Sequence, residues 1–315
     1  MAQSLFMTLK QLQPQCIIDV IAPTWSVPLL KRMPQVNEAI ELPIGHNRIK
    51  LLTRYRLGRR LQARQYDKAI ITPRTMKSAL VPFFAKAKRR VGYRGEHRYG
   101  LINDIRPLDK TILYQTVQRY VALAYEEDLS QPPFIPQPVL QVDKANQMRL
   151  LKKLGLTLNK PVIGMMPGAE YGPAKQWPVS DYRRLAKQLV EQGNQVWIFG
   201  SKKEIALGEQ IATVEGIINL CGKTELVDVI DLLALAAHAV TNDSGLMHIA
   251  AATGVHVVAI YGSSDPNYTP PLTDNASIVY KAISCSPCFD RKCRFGHYNC
   301  LNTIEIKDVL EKIVT

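Results

Sequence analysis

Between residues 162 and 262, short apolar runs alternate with amphipathic stretches at a spacing that few folds accept. VIGMM (162–166) reads as a strand, and SDYRRLAKQLVEQG (180–193) as a helix with Ser180 as cap, Asp181 in the first turn and Gly193 as stop. QVWIFG (195–200) is the next strand, followed by a helical stretch to about residue 212, the strand IINL (217–220) and the helix VDVIDLLALAAHA. HAVTND then leads into a helix over about residues 244–252, and VHVVAIYG (255–262) is a further strand. Strand and helix in strict alternation imply a parallel sheet with right-handed crossovers. Such a sheet binds its ligands at the carboxyl ends of the strands.

The first half repeats the pattern less cleanly. A helix is expected over 2–12, a strand over 16–23, a helix near 51–63, a strand over 67–73, and a helix in KSALVPFFAKA that gives way to the basic segment RRVGYRGEHRYG. QPPFIPQP (131–138) carries four prolines in eight residues and cannot continue a helix, so it approaches a domain boundary. The expected class is α/β, with two Rossmann-like domains facing one another across a cleft, residues 1–150 and 151–315. A doubly wound domain normally opens with a strand, whereas Met1 stands at the start of a helix. The expectation is that the first strand of the N-terminal domain is missing.

No apolar run approaches the roughly 18 residues of a membrane helix. MAQSLFMTLKQLQPQ lacks the basic start, apolar centre and cleavage site of a secretory signal, so a cytoplasmic place is expected. The formal charge of +13 is unevenly spread: residues 1–155 hold 26 Lys and Arg against 11 Asp and Glu, leaving 14 against 16 for the remainder. A basic half of this kind attracts nucleic acid, anionic lipid head groups or a phosphorylated substrate, or is simply a solvated surface. No recognised nucleic-acid motif accompanies it, so no nucleic-acid partner is expected.

Three loops follow strands of the second half. PGAEYGPAKQWP (167–178) sets Gly168 and Gly172 for close backbone approach, prolines that hold the chain extended, and Lys175 as a point charge suited to phosphate. It is a phosphate loop or a plain connector with a solvated lysine, and it is not a Walker loop. In TNDSGLMHIAAATG (241–254), Asn242, Asp243 and Ser244 are good caps, and a helix N-terminus offers free N–H groups and a positive dipole end. Asp243 as a cap only and His248 as a core histidine are equally open. CGKTE (221–225) would point to the same side.

Taken with PTWSVPLLKRMPQVNEAI, YDKAIITPRTMKSALVPFFA and RRVGYRGEHRYGLIND, these loops resemble family 9 glycosyltransferases, the ADP-heptose:lipopolysaccharide heptosyltransferases. The resemblance covers most of the chain. It implies the GT-B fold, with the N-terminal domain taking the acceptor and the C-terminal domain the donor. The implied reaction is an inverting, metal-independent transfer of L-glycero-D-manno-heptose from ADP-heptose to a heptose of the lipopolysaccharide inner core, an anionic lipid-linked acceptor at the inner membrane surface. That places the protein in the cytoplasm, peripheral to the inner membrane's cytoplasmic face.

Carried over residue by residue, the resemblance implies donor contacts from Gly168, Ala169, Glu170, Lys175, Thr224, Asn242, Asp243, Ser244, Gly245, Leu246 and His248, with Lys175 and Asp243 in the catalytic machinery. Arg74, Lys77, Arg89, Arg90 and Arg94 are the expected acceptor contacts. The family's base is an aspartate after the first strand, and no residue here matches it. The rival readings are a truncated, non-catalytic ADP-sugar or lipopolysaccharide binder, another GT-B transferase, and a sugar-nucleotide epimerase. Cys285, Cys288, Cys293 and Cys300 stand as C-x2-C-x4-C-x6-C with His297 nearby. In a cytosolic chain cysteines so placed favour metal over disulfides, but the spacing is not a standard zinc pattern. Free thiols or redox pairing in a surface loop are expected, with neither metal nor cofactor assigned, and structural zinc or an iron–sulfur cluster as alternatives.

Overall fold

The computed structural model describes residues 1–45 and 48–313, which divide into two compact units, Met1–Pro136 and Gln137–Thr315. The division therefore falls ahead of the expected one after residue 150. The helix Lys144–Leu154 (α6) explains the shift. Asn146 on it donates to both Asp228 and Asp231 (3.0 and 2.7 Å), and Asp231 also accepts from the backbone N–H of Asp143 (2.8 Å).

The N-terminal unit runs α1 (Ala2–Leu12), β1 (Asp19–Ala22), α2 (Val27–Leu30), β2 (Glu38–Glu41), α3 (Leu51–Leu61), β3 (Lys68–Ile70), α4 (Met76–Phe84), β4 (Arg89–Tyr93), β5 (Asp104–Arg106) and α5 (Thr116–Ala122). All its strand pairs are parallel, but they fall into two pieces among the described residues, β1–β2 and β3–β4–β5. Val20 and Ala22 of β1 and Ile70 of β3 nevertheless share one apolar cluster with Leu5 and Phe6 of α1. Part of the segment read as merely basic is the strand β4. Its Val91, Gly92 and Tyr93 are buried.

The C-terminal unit runs α6 (Lys144–Leu154), β6 (Val162–Met166), α7 (Val179–Glu191), β7 (Gln195–Ile198), α8 (Ile205–Ile211), β8 (Ile217–Asn219), α9 (Leu226–Leu233), β9 (His238–Asn242), α10 (Gly245–Thr253), β10 (His256–Tyr261), β11 (Ala276–Tyr280), α11 (Asn299–Asn302) and α12 (Ile306–Leu310). Its six strands are all parallel in the order β11-β10-β9-β6-β7-β8. Counted along the unit, this is the doubly wound order 3-2-1-4-5-6, whose direction of winding reverses between β6 and β9. Every residue of β6 and β7 is buried, as expected of central strands covered by helices on both faces. The helix expected over VDVIDLLALAAHA ends at Leu233, because His238 and Ala239 are taken into β9. α7 starts two residues early, with Pro178 at the cap position in place of Ser180. Among the described residues, no helix is long and apolar enough to cross a membrane.

Candidate active site

β6 and β9 are neighbours, so the loops leaving their carboxyl ends meet at the switch point of the sheet. The meeting is held by Asn242, the last residue of β9, which is fully buried. Its side-chain oxygen accepts from the Trp177 backbone N–H (3.0 Å) and the Tyr182 hydroxyl (3.1 Å). Its amide nitrogen donates to the carbonyls of Pro167 (2.8 Å) and Gly168 (3.4 Å). Both ends of the 167–178 loop are thus fastened to one side chain.

Fixed in this way, the loop lays Lys175 against Asp243. The two form an ion pair, and Asp243 also accepts from the Ser264 hydroxyl at 2.6 Å. The carboxylate side chain is 5% exposed and the lysine's 16%. The ammonium stands 4.8 Å above the Tyr171 ring, and the guanidinium of Arg291 lies 5.1 Å from the same ring. Gly172 makes the bend possible. Its φ of +149° lies outside the range of other residues, and a Cβ there would sit 2.4 Å from the Arg291 carbonyl.

α10 begins immediately after. Ser244 occupies its N-cap position, yet no side-chain hydrogen bond caps the helix, so the expected capping role is not filled. A Cβ on Gly245 would meet nothing within 4 Å. Among the described residues the N–H groups of Gly245 and Leu246 have no backbone partner, an arrangement suited to an anion. One turn in, burial pushes the His248 imidazole down to about 4, so the ring is neutral at pH 7, and its buried Nδ1 has no hydrogen-bond partner among the described residues. The Thr224 hydroxyl, in the loop after β8, is likewise buried without a partner. Leaving such groups unsatisfied costs about 1–3 kcal/mol each, which a polar ligand would offset.

The remaining expected residues are placed as follows. Ala169 accepts from the Gly172 N–H within the loop (3.1 Å), and exposed Glu170 meets Lys203 at 3.8 Å, a surface pair of little consequence. Leu246 is half-buried in the first turn of α10. In the N-terminal unit, Arg74 follows β3, Lys77 sits in the first turn of α4, and Arg94 follows β4, with Arg74 Nε donating to the Arg94 carbonyl (3.2 Å). Arg89 and Arg90 open β4 at its other end. There Arg89 pairs with Asp104 and Glu126, while Arg90 donates to the Leu101 and Ala87 carbonyls. Ser263, Ser264, Tyr171 and Arg291 escaped the sequence reading. For the serines a signal existed, since YGSS leaves the carboxyl end of β10 as the recognised loops leave theirs.

The four clustered cysteines, His297 and Ala174 line one pocket. All are free thiols, and no group of His, Cys, Asp or Glu among the described residues is arranged to hold a metal ion. Their reactivities should differ. Backbone N–H groups, that of Tyr298 foremost, hold Cys293 below the ordinary thiol value, whereas burial pushes Cys300 up to about 11 and Cys221 up to about 12. A lowered value means more thiolate at neutral pH. Timed alkylation at pH 7.5 with peptide mass mapping is expected to label Cys293 before Cys221 and Cys300, and the reverse order would contradict this ranking.

Two parallel α/β units, one carrying a polar crevice of this kind at its switch point, are the architecture of the GT-B class. The chain belongs to glycosyltransferase family 9 (heptosyltransferase), whose family model matches residues 54–299. Lipopolysaccharide heptosyltransferase 2 of Escherichia coli strain K12 is 44% identical over 326 residues, spanning 99% of this chain and 93% of that protein. Lipooligosaccharide heptosyltransferase 2 of Haemophilus influenzae is 49% identical over 292 residues, 89% of this chain and 84% of its own length. The solved E. coli ADP-heptose heptosyltransferase II superposes with a TM-score of 0.86 at 43% identity, covering 99% of this chain and 93% of that one. These relatives favour the heptosyltransferase reading over a non-catalytic binder or an epimerase.

Proposed function

We propose that this protein transfers L-glycero-D-manno-heptose from ADP-heptose to a heptose of the lipopolysaccharide inner core, in the cytoplasm, with inversion and without a metal. The observation that carries the reading is the half-buried Lys175–Asp243 pair beside the uncapped start of α10. In the transfer, the bond from the anomeric carbon to the diphosphate oxygen breaks with both electrons going to oxygen. The acceptor hydroxyl oxygen attacks the opposite face of the sugar, and its proton passes to solvent water as the new carbon–oxygen bond forms. Charge therefore grows on ADP, where Lys175 and the N–H groups of Gly245 and Leu246 are already oriented, a preorganised stabilisation strongest in the transition state.

Asp243, tied to Ser264, holds the lysine in place until the diphosphate arrives. Neutral His248 and the Thr224 hydroxyl supply unpaired polar atoms for the nucleotide-sugar. Arg74, Lys77 and Arg94 would meet the anionic acceptor, while Arg89 and Arg90, already engaged internally, would contribute less. The test is a transfer assay with purified protein, ADP-heptose and a core acceptor ending in one heptose, in buffer containing EDTA. A product heavier by one heptose, with the anomeric configuration opposite to the donor's, is expected. No product with ADP-heptose but product with another nucleotide-sugar would overturn the assignment.

A further inference from the structure

Between Glu41 and Asp67 the chain carries seven Lys and Arg and no acidic residue, and α3 lies within this stretch. Two of the seven are used internally. Arg54 turns inward to the Ile49 carbonyl (2.7 Å), and Arg64 pairs with Asp19 and Glu38. Arg48, Lys50, Arg56, Arg59 and Arg60 are exposed and meet no carboxylate among the described residues. None of this accounts for the apolar side chains between them.

α3 buries Leu57, Gly58 and Leu61, and packs so closely on α4 that a Cβ on Gly58 would lie 2.4 Å from that of Phe84. Its orientation is therefore fixed. With that face inward, Leu51 and Leu52 stand 54% and 58% exposed, Ile49 just ahead of them 53% and Tyr55 44%. Tyr55 packs edge-on to Phe84 (5.1 Å), Phe84 packs on Phe83 (5.6 Å), and Phe83 is again exposed with Arg90 over its ring at 5.7 Å. A surface helix ordinarily keeps this side polar, and exposed apolar side chains interleaved along the chain with cations that meet no carboxylate among the described residues mark an interface.

We propose that this surface, α3's outer face with Phe83 of α4, docks on an anionic phospholipid bilayer. Leucine, isoleucine and aromatic side chains enter the boundary between head groups and acyl chains, while the five cations meet lipid phosphates. Nucleic acid would satisfy the cations and leave Leu51 and Leu52 in water. The proposal deepens the reading of a lipid-linked acceptor, and its test omits the acceptor so that the two can fail separately.

Full-length protein is floated with vesicles of phosphatidylglycerol and phosphatidylethanolamine, and with vesicles of phosphatidylcholine alone. Binding to the anionic vesicles is expected, at least tenfold tighter than to phosphatidylcholine. The double variant L51S/L52S is expected to lose at least tenfold in vesicle affinity, with thermal melting and transfer to a soluble delipidated core acceptor unchanged. Its two side chains are exposed and outside the donor and acceptor sites, so a folding defect is not expected to imitate the result. Wild-type protein that fails to bind anionic vesicles, or a double variant that binds them as well as wild type, overturns the proposal. So does tighter binding to a single-stranded oligonucleotide than to the vesicles, which would assign the surface to nucleic acid.

Discussion

Replacing Lys175 is expected to lower kcat/KM for ADP-heptose at least tenfold, about 1.4 kcal/mol in the barrier. Loss of one preorganised donor to a developing anion reaches 10²–10³-fold at other enzyme sites, so the expected range is on the order of 10–10³. Two effects must be separated in Lys175→Ala. The variant removes a charge from the diphosphate and also strips Asp243 of its ion-pair partner, leaving the Ser264 hydroxyl. An unpaired carboxylate at so buried a position costs about 3–5 kcal/mol of stability.

Lys175→Gln separates them, because the amide still donates to Asp243 while carrying no charge. It is expected to melt close to wild type and still lose at least tenfold in turnover. If Lys175→Gln turns over ADP-heptose at the wild-type rate, the lysine has no part in stabilising the leaving group. Asp243→Asn keeps acceptor capacity for Lys175 and Ser264, and its loss should be smaller than that of Lys175→Gln.

The C-terminal unit was far more legible in sequence than the N-terminal one, for a physical reason. Its central strands are buried on both faces, so VIGMM and VHVVAIYG stand out as continuous apolar runs. β4 hides because it starts with Arg89 and Arg90, whose partners Asp104, Glu126 and Leu101 lie elsewhere in the chain and cannot be seen in a local pattern. β2, β5 and β11 are short or half-exposed and lack such a signal. The site was legible as loops but not as a site. That PGAEYGPAKQWP and NDSGLMH follow strands can be read directly, whereas their meeting depends on β9 lying beside β6, a matter of sheet order that periodicity does not encode. The Lys175–Asp243 pair, 68 residues apart, requires that order together with the Asn242 clamp.

Asn242 shows why the meeting is rigid, and Asn242→Ala is expected to destabilise the C-terminal unit strongly. Truncation leaves the Trp177 N–H, the Tyr182 hydroxyl and the Pro167 carbonyl buried without their partner. At about 1–3 kcal/mol for each unsatisfied group, partly relieved by entering water, a loss of at least ~3 kcal/mol is expected. For a unit of this size that corresponds to a fall in melting temperature of about 6–12 °C. Asn242→Asp is the informative companion, since its oxygens still accept from Trp177 and Tyr182 while the donation to Pro167 and Gly168 is lost. Turnover at a temperature where both variants remain folded then reports on positioning alone. Because Asn242 fastens both ends of the loop that carries Lys175, kcat should fall in each variant even when ADP-heptose is saturating. Wild-type kcat in a folded Asn242→Ala protein would mean that the loop finds its place without the clamp, and that Trp177, buried between Tyr182 and the Ile304 carbonyl, suffices to hold it.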